Sequence, residues 1–135
     1  MATFPIITSV VPTITATTLS ATYNGMSKSV LLTLNPLPSP SLASLVLHPT
    51  IVVGGSPSTG TVTLSAVAPA GGATVVLTTS NTSRATVPTS VVIAAGTTSQ
   101  TFTVSTETTK QLGGVTIAAP WLGVTQTAGL WVKRQ

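Results

Sequence analysis

The sequence predicts an all-β fold: an antiparallel β-sandwich of about seven strands, preceded by an N-terminal extended arm and a β-hairpin. Apolar residues recur at every second position in short runs, which is the period of a half-buried strand. The 11 glycines and 10 prolines of the 135-residue chain lie between these runs, where turns are required. No stretch has the periodicity of an amphipathic helix.

The N-terminal region is predicted to be an arm followed by a hairpin. Residues 1–12 are apolar and are interrupted by Pro5 and Pro12, which favours an extended arm over a central strand. Asn24-Gly25 is a strong two-residue hairpin turn, because both residues accept positive φ. The strand after it carries mostly apolar residues on one face, which is expected to face a core: Met26, Lys28, Val30, Leu32 and Leu34.

The same hairpin pattern occurs a second time near the end of the chain, in residues 119–133, and matches residues 21–35. Each copy has an aromatic residue, a turn glycine and then apolar residues at every second position. The matching pairs are Tyr23 with Trp121, Gly25 with Gly123, Met26 with Val124, Val30 with Ala128, Leu32 with Leu130 and Leu34 with Val132. The offset is about one sandwich domain long, so the second copy is predicted to close a complete domain and the first to be a surplus hairpin.

A proline-rich linker is predicted to separate the hairpin from the sandwich. The stretch NPLPSPS, residues 35–41, contains three prolines, which stop a strand and stiffen the chain. We therefore expect three segments: the arm and surplus hairpin in 1–36, the linker in 37–43 and the sandwich in 44–135.

The sandwich strands follow from alternation between turns. Residues 45–47 and 51–53 are expected to be two halves of one strand, interrupted at His48-Pro49. Further strands are predicted at 59–68, 74–79, 91–93, 98–105, 115–121 and 124–132. The inward residues among them are predicted to include Val62, Leu64, Ala66, Val75, Leu77, Phe102 and Val104.

The composition excludes most catalytic and metal chemistry. Charged residues make up 4% of the chain, against roughly 25% in an average soluble protein. With Glu107 as the single acid and His48 as the single histidine, there is no carboxylate pair, no Asp for a triad and too few carboxylates for calcium. The absence of cysteine excludes disulfides and thiolate sites. We predict no enzyme activity, no cofactor and no metal.

The positive charge is too dispersed in sequence to predict a nucleic-acid partner. The formal net charge is +4, but only Lys133 and Arg134 are adjacent. A nucleic-acid footprint needs clustered bases, with stacking aromatics for single strands. No run is long enough for a membrane span, and the first residues lack the basic and apolar regions of a signal peptide.

Residues 54–106 resemble the bacterial immunoglobulin-like repeats of large surface and secreted proteins. The resemblance is carried by the stretches GTVTLS, APAGGATVVLTTSN, ATVP, VVIAAGTTSQTFTV and the later VTI, and it covers about residues 44–132. It implies an immunoglobulin-like sandwich with a role as spacer, stalk or adhesin segment, and it transfers no catalytic residues. The second copy of the hairpin differs from the first at Trp131, which aligns with Thr33.

Nine apolar residues are the candidates for interaction. Trp121 is expected in the core, whereas Trp131 should point outward because it alternates with Leu130 and Val132. Threonine pairs such as Thr61/Thr63, Thr101/Thr103 and Thr125/Thr127 are expected to be ordinary outward residues, with sugar binding as the alternative. The candidates are Phe4, Ile6, Ile7, Tyr23, Val30, Leu32, Leu34, Trp121 and Trp131.

These observations predict a structural module outside the cell or at its surface. An isolated hairpin is marginal in water, so residues 1–36 need a partner. They can pack on their own sandwich, belong to a preceding repeat, or complete a neighbouring copy by β-strand addition, which would make a filament subunit. The alternatives are a carbohydrate- or surface-binding module and, more weakly, a virion or appendage component. The expected partners are a second copy or neighbouring repeat and a glycan.

Overall fold

A computed structural model describes all 135 residues, and every regular element in it is a β-strand. The chain divides into two compact units, Met1–Ser39 (unit 1) and Pro40–Gln135 (unit 2). All of the buried hydrophobic residues belong to unit 2. The prediction of an all-β fold is confirmed. No helix long and apolar enough to cross a membrane is present.

Unit 1 consists of a two-stranded hairpin and the chain that flanks it. Strands β1 (Thr15–Tyr23) and β2 (Met26–Leu34) pair antiparallel without a bulge, from Thr15 opposite Leu34 to Tyr23 opposite Met26. The turn residues Asn24 and Gly25 have φ of 48° and 74°, as the sequence predicts for this two-residue turn. Residues 1–14 form no strand.

Unit 2 is a sandwich made from ten strand segments. They are β3 (Leu42–His48), β4 (Ile51–Val53), β5 (Ser58–Leu64), β6 (Ala73–Val76), β7 (Thr78–Thr79), β8 (Ala85–Thr86), β9 (Ser90–Ile93), β10 (Ser99–Thr106), β11 (Gly113–Trp121) and β12 (Val124–Lys133). One four-stranded sheet has the order β3-β5-β10-β8 and another has the order β4-β12-β11-β7, while β6 and β9 form a two-stranded sheet.

The core of unit 2 is filled from the alternating inward positions of these strands. Val62 on β5, Val104 on β10 and Ile117 on β11 are fully buried, and residues from all three sheets join one hydrophobic cluster. The ring of Phe102 lies over Gly60, directly opposite on β5. Of the predicted inward residues only Ala66 differs, since it lies beyond the end of β5 and is half-buried. The inward orientation of the others is confirmed: Val62, Leu64, Val75, Leu77, Phe102 and Val104.

Two predicted strands are each divided between sheets. The sequence predicts that residues 45–47 and 51–53 are halves of one strand, but β3 pairs with β5 while β4 pairs with β12 in the other sheet. The chain changes sheet at His48-Pro49, because Pro49 has no N–H for the ladder. Residues 74–79 are divided in the same way between β6 and β7.

The pairing and the start of the sandwich also differ in detail from the prediction. β4 and β12 are parallel, so the sandwich is not wholly antiparallel. β3 begins at Leu42, whose side chain is 3% exposed, so the sandwich includes the last residues of the predicted 37–43 linker. Alternation alone could not place this start, because Pro40 and Ser41 separate Leu42 from the preceding apolar residues.

Candidate interaction surfaces

The apolar face of unit 1 is largely exposed. On this face Tyr23 is 80% exposed, Met26 72% and Val30 63%, while Leu32 and Leu34 are half-buried. The expectation that the Met26–Leu34 strand faces a core is therefore wrong for the structure of unit 1. A hairpin of two strands offers each side chain only its cross-strand and diagonal neighbours, which cannot enclose it.

The N-terminal arm is exposed as well. Phe4 is 74% exposed, Ile7 is 93% exposed and Ile6 is 48% exposed. Soluble proteins rarely leave large contiguous apolar patches in water, and such patches mark association surfaces. The three interaction candidates in the arm are therefore accessible to solvent, like the apolar face of the hairpin.

The second copy of the hairpin, β11–β12, has the same pairing but a buried face. Its register runs from Gly113 opposite Val132 to Trp121 opposite Val124, and its turn residues Leu122 and Gly123 have φ of 45° and 81°. The side chains of its inner face far from the turn are enclosed by the sandwich, with Leu130 and Val132 at 0% exposure, while Val124 beside the turn is 37% exposed. Trp121 is partly buried and packs against the core, as the sequence predicts.

Trp131 lies on the outer face of β12, and its predicted outward orientation is confirmed. It is 52% exposed, and its indole ring lies against Gly114, the residue opposite it on β11. On the other side it pairs with Ile51 of the parallel strand β4. An open, mostly apolar cleft of about 330 Å³ is lined by Trp131, Ile51, Leu112 and Lys133.

Three of the five basic residues come together at one end of unit 2. Lys110, in the loop after β10, lines a groove of about 620 Å³ with Lys133 and Arg134 at the end of β12. Leu112 borders both this groove and the Trp131 cleft. This cluster is not evident from the sequence, because Lys110 is remote from the other two residues along the chain. Only the packing of the loop beside the last strand could have shown it.

Arg84 holds the loop that carries Lys110. Its Nη1 donates a hydrogen bond to the carbonyl oxygen of Gln111 at 2.9 Å, and its guanidinium lies against Gly113. The backbone N–H of Glu107 donates to the Arg84 carbonyl oxygen, also at 2.9 Å. The loop between β10 and β11 is therefore fixed at both ends to one arginine.

Threonines form a cross-strand array on the outer face of the first sheet. Thr61 lies opposite Thr101, and Thr59 lies opposite Thr103. On the other side of β5, the exposed His48 of β3 lies opposite Thr59. This face offers hydroxyl groups and one imidazole.

The comparisons with known proteins give structural likenesses only. No protein-family model and no characterised relative matches the sequence. Among solved structures, the chain is similar to the crystal structure of domains 4 and 5 of the S-layer protein SbsC, with a TM-score of 0.64 and 21% identity. That match covers 89% of this chain and 58% of the other, so this chain spans less than two thirds of that structure.

A second structure of the same surface layer protein, domains 1-6, matches with a TM-score of 0.62 and 20% identity over 90% of this chain and 17% of the other. A third, residues 31-844 of the recombinant protein, matches with a TM-score of 0.57 and 20% identity over 90% of this chain and 16% of the other. At this identity the likeness shows the fold: this chain is folded like β-rich domains of a surface layer protein.

Proposed function

We propose that this chain is a non-enzymatic structural module of a bacterial surface or secreted protein. Its sandwich is of the immunoglobulin-like type, and its N-terminal unit associates by β-strand addition with sandwich structure of the same kind, in a neighbouring repeat or a neighbouring copy. The observation that carries the proposal is the pair of hairpins: the same face that is mostly buried in β11–β12 is mostly open in β1–β2.

The physical drive for association comes from the open face. Burying a large apolar side chain contributes about 1.5–3 kcal/mol, and Tyr23, Met26 and Val30 are each more than 60% exposed. The arm adds Phe4 and Ile7 to the surface that association can cover. An isolated two-stranded hairpin is marginal in water, so a partner that covers this face also stabilises the strand pairing.

The composition and the comparisons support a role in an extended surface structure. Charged residues are 4% of the chain and mean hydropathy is +0.56, which suits large contacts between modules better than a free monomer. The structures that resemble the chain are of an S-layer, or surface layer, protein. An extracellular or cell-surface location, in a filament, stalk or adhesin, is part of the proposal.

Light scattering across a range of concentrations tests the association. We expect the full chain to show a mass that rises with concentration, and residues 40–135, which contain the entire hydrophobic core, to remain monomeric. The matched variants are Val30→Asp on the open face and Ser29→Asp on the opposite face, and only the first should reduce association. A full chain that stays monomeric at all concentrations would contradict association between copies and leave a neighbouring repeat as the proposed partner.

A second candidate function is binding of an anionic glycan or surface polymer at the Trp131 cleft. An exposed indole provides a stacking surface for a sugar ring, and Lys133 borders both this cleft and the basic groove. Glycan-array binding that is lost in Trp131→Ala but kept in Val92→Ala, an equally exposed residue on β9, would favour this function. A role as a virion or appendage component is a weaker alternative, with no specific observation in its favour.

A further inference from the structure

We propose that unit 1 is the last three strands of a second sandwich, and that a segment of the same repeat type, equivalent to residues 40–98 and leading directly into residue 1, completes it. In this arrangement the arm is a strand equivalent to β10, and β1 and β2 are equivalent to β11 and β12. The inference rests on the proposed structural function and names the partner of unit 1 within it.

The two hairpins agree in register, length and turn at a single offset. Thr15 to Leu34 in unit 1 corresponds to Gly113 to Val132 in unit 2, a constant shift of 98 residues with no insertion. In each copy both residues of the two-residue turn have positive φ. Because register in a sheet decides which side chains face the core, a shared register gives both hairpins the same inner face.

The same offset extends through the arm, where no strand is formed. Residues 1–8 align with β10, Ser99–Thr106, and Phe4, Ile6 and Thr8 fall on inner positions of that strand. Their equivalents Phe102, Val104 and Thr106 are all buried, at 7%, 0% and 8% exposure. Over residues 1–34 the ungapped alignment is identical at Thr3, Phe4, Thr8, Thr18, Ala21, Gly25 and Leu32.

The exposure of the arm follows from this assignment. A strand equivalent to β10 needs two neighbours, corresponding to β5 and β8, and unit 1 contains neither. The hairpin likewise lacks the counterparts of β4 and β7, which flank β12 and β11 in unit 2. All of these missing strands lie within the equivalent of residues 40–98, so one continuous segment supplies them.

A second copy of the chain is the less favourable partner. Its own residues 99–135 already occupy the positions that unit 1 would take, with Leu130, Val132 and Ile117 fully buried. If unit 1 of one copy replaced residues 99–135 of another, those side chains would be exposed to water. The replacement would therefore give no net burial of apolar surface. A segment that lacks its own last three strands has no such competitor.

The side chains of unit 1 specify two features of the completing segment. Phe4 stands where Phe102 stands, and a Cβ at Gly60 would overlap the Phe102 ring, so the segment must have glycine at the Gly60 position. Thr15 stands where Gly113 stands, and a Cβ at Gly113 would overlap the Arg84 guanidinium. The segment therefore needs either a residue smaller than arginine at the Arg84 position or an arginine whose guanidinium is turned away from Thr15.

The structural likeness to a fragment of the surface layer protein extends beyond unit 2. The match to domains 4 and 5 of the surface layer protein covers 89% of 135 residues, or about 120, whereas unit 2 has only the 96 residues from 40 to 135. At least about 24 residues of unit 1 are therefore included in the match. The aligned region is larger than one sandwich.

The test is a fused chain in which a copy of residues 40–98 is joined directly to Met1, with Arg84→Ala in the added copy to make room for Thr15. This joint reproduces the connection from Thr98 to Ser99. We expect amide hydrogen exchange in residues 3–8 and 15–34 to slow by roughly 100-fold or more relative to the 135-residue chain, since the new ladder bonds exchange only on unfolding. We also expect the fused chain to be monomeric by light scattering.

Leu31 and Leu32 provide the matched control within the fused chain. Leu32 corresponds to the fully buried Leu130, whereas Leu31 corresponds to Gly129 on the outer face. Leu32→Asp should abolish the added protection, and Leu31→Asp should retain it. Equal effects of the two substitutions, or an added segment that stays unfolded with residues 1–34 unprotected, would overturn the inference.

Two further outcomes separate this inference from the proposed function. A fused chain that gains protection supports the inference even where the 135-residue chain proves monomeric and the proposed self-association fails. A fused chain that still associates as the parent does, without added protection, overturns the inference while leaving self-association in place, and identifies a second copy as the partner.

Discussion

Substituting the paired leucines Leu130 and Leu32 by alanine measures how differently the two hairpins are buried. Leu130 is 0% exposed in the core of unit 2, and a Leu→Ala change at such a site costs about 2–5 kcal/mol of unfolding free energy. Leu32 has the same place in the hairpin register but only half-buries its side chain. No enclosed cavity forms there, so we expect a loss below about 1 kcal/mol.

The effect of both substitutions on stability is measured by thermal unfolding of the full chain, monitored by circular dichroism and calorimetry. For a domain of this size, 1 kcal/mol shifts the midpoint by roughly 4–8 °C, so a loss of about 3 kcal/mol in Leu130→Ala lowers the main transition by roughly 12–24 °C. Leu32→Ala should leave that transition within about 2 °C of the parent, because unit 2 keeps its whole core. An equal drop in both variants would refute the reasoning that unit 1 lacks a core.

Other predictions concern unit 2. Gly60→Ala should lower its stability by about 1–3 kcal/mol in a denaturant melt, because the new methyl group meets the buried Phe102 ring; an unchanged midpoint would contradict that packing. Ser58→Ala should cost about 1–3 kcal/mol in the same assay, since the buried hydroxyl donates to the Pro49 carbonyl oxygen at 2.7 Å and its loss leaves that acceptor unpaired; Ser56→Ala, an exposed neighbour, is the control. Arg84→Ala should speed hydrogen exchange in the loop after β10 while β11 and β12 keep their protection, and a uniform change across unit 2 would argue against a local anchor.

The strand faces and the candidate residues follow from the sequence because they depend on local rules. Side chains of a strand alternate between its faces, so the inward Val62 and Phe102 and the outward Trp131 could be predicted without knowing any partner strand. The Asn24-Gly25 turn is equally local, since it requires only two residues that accept positive φ. The counts of one acid, one histidine and no cysteine limit the available chemistry before any folding.

Strand pairing, in contrast, was decided only by the tertiary structure. The alternation of side chains predicts which way each one points, but it does not predict which sheet the strand joins. The chain crosses from one sheet to the other between β3 and β4, and the only sequence feature that marks this crossing is a proline. The meeting of Lys110 with Lys133 and Arg134 likewise depends on a loop folding beside a distant strand.

The repeated hairpin illustrates both what local sequence rules predict and what depends on tertiary packing. Sequence alone determined that it occurs twice with the same pattern, because pattern is a local property. Only the structure showed that Leu130 and Val132 are enclosed while their counterparts Leu32 and Leu34 are half-buried and Met26 and Val30 are exposed. Burial depends on the strands that surround a hairpin, and in unit 1 the counterparts of those strands are missing.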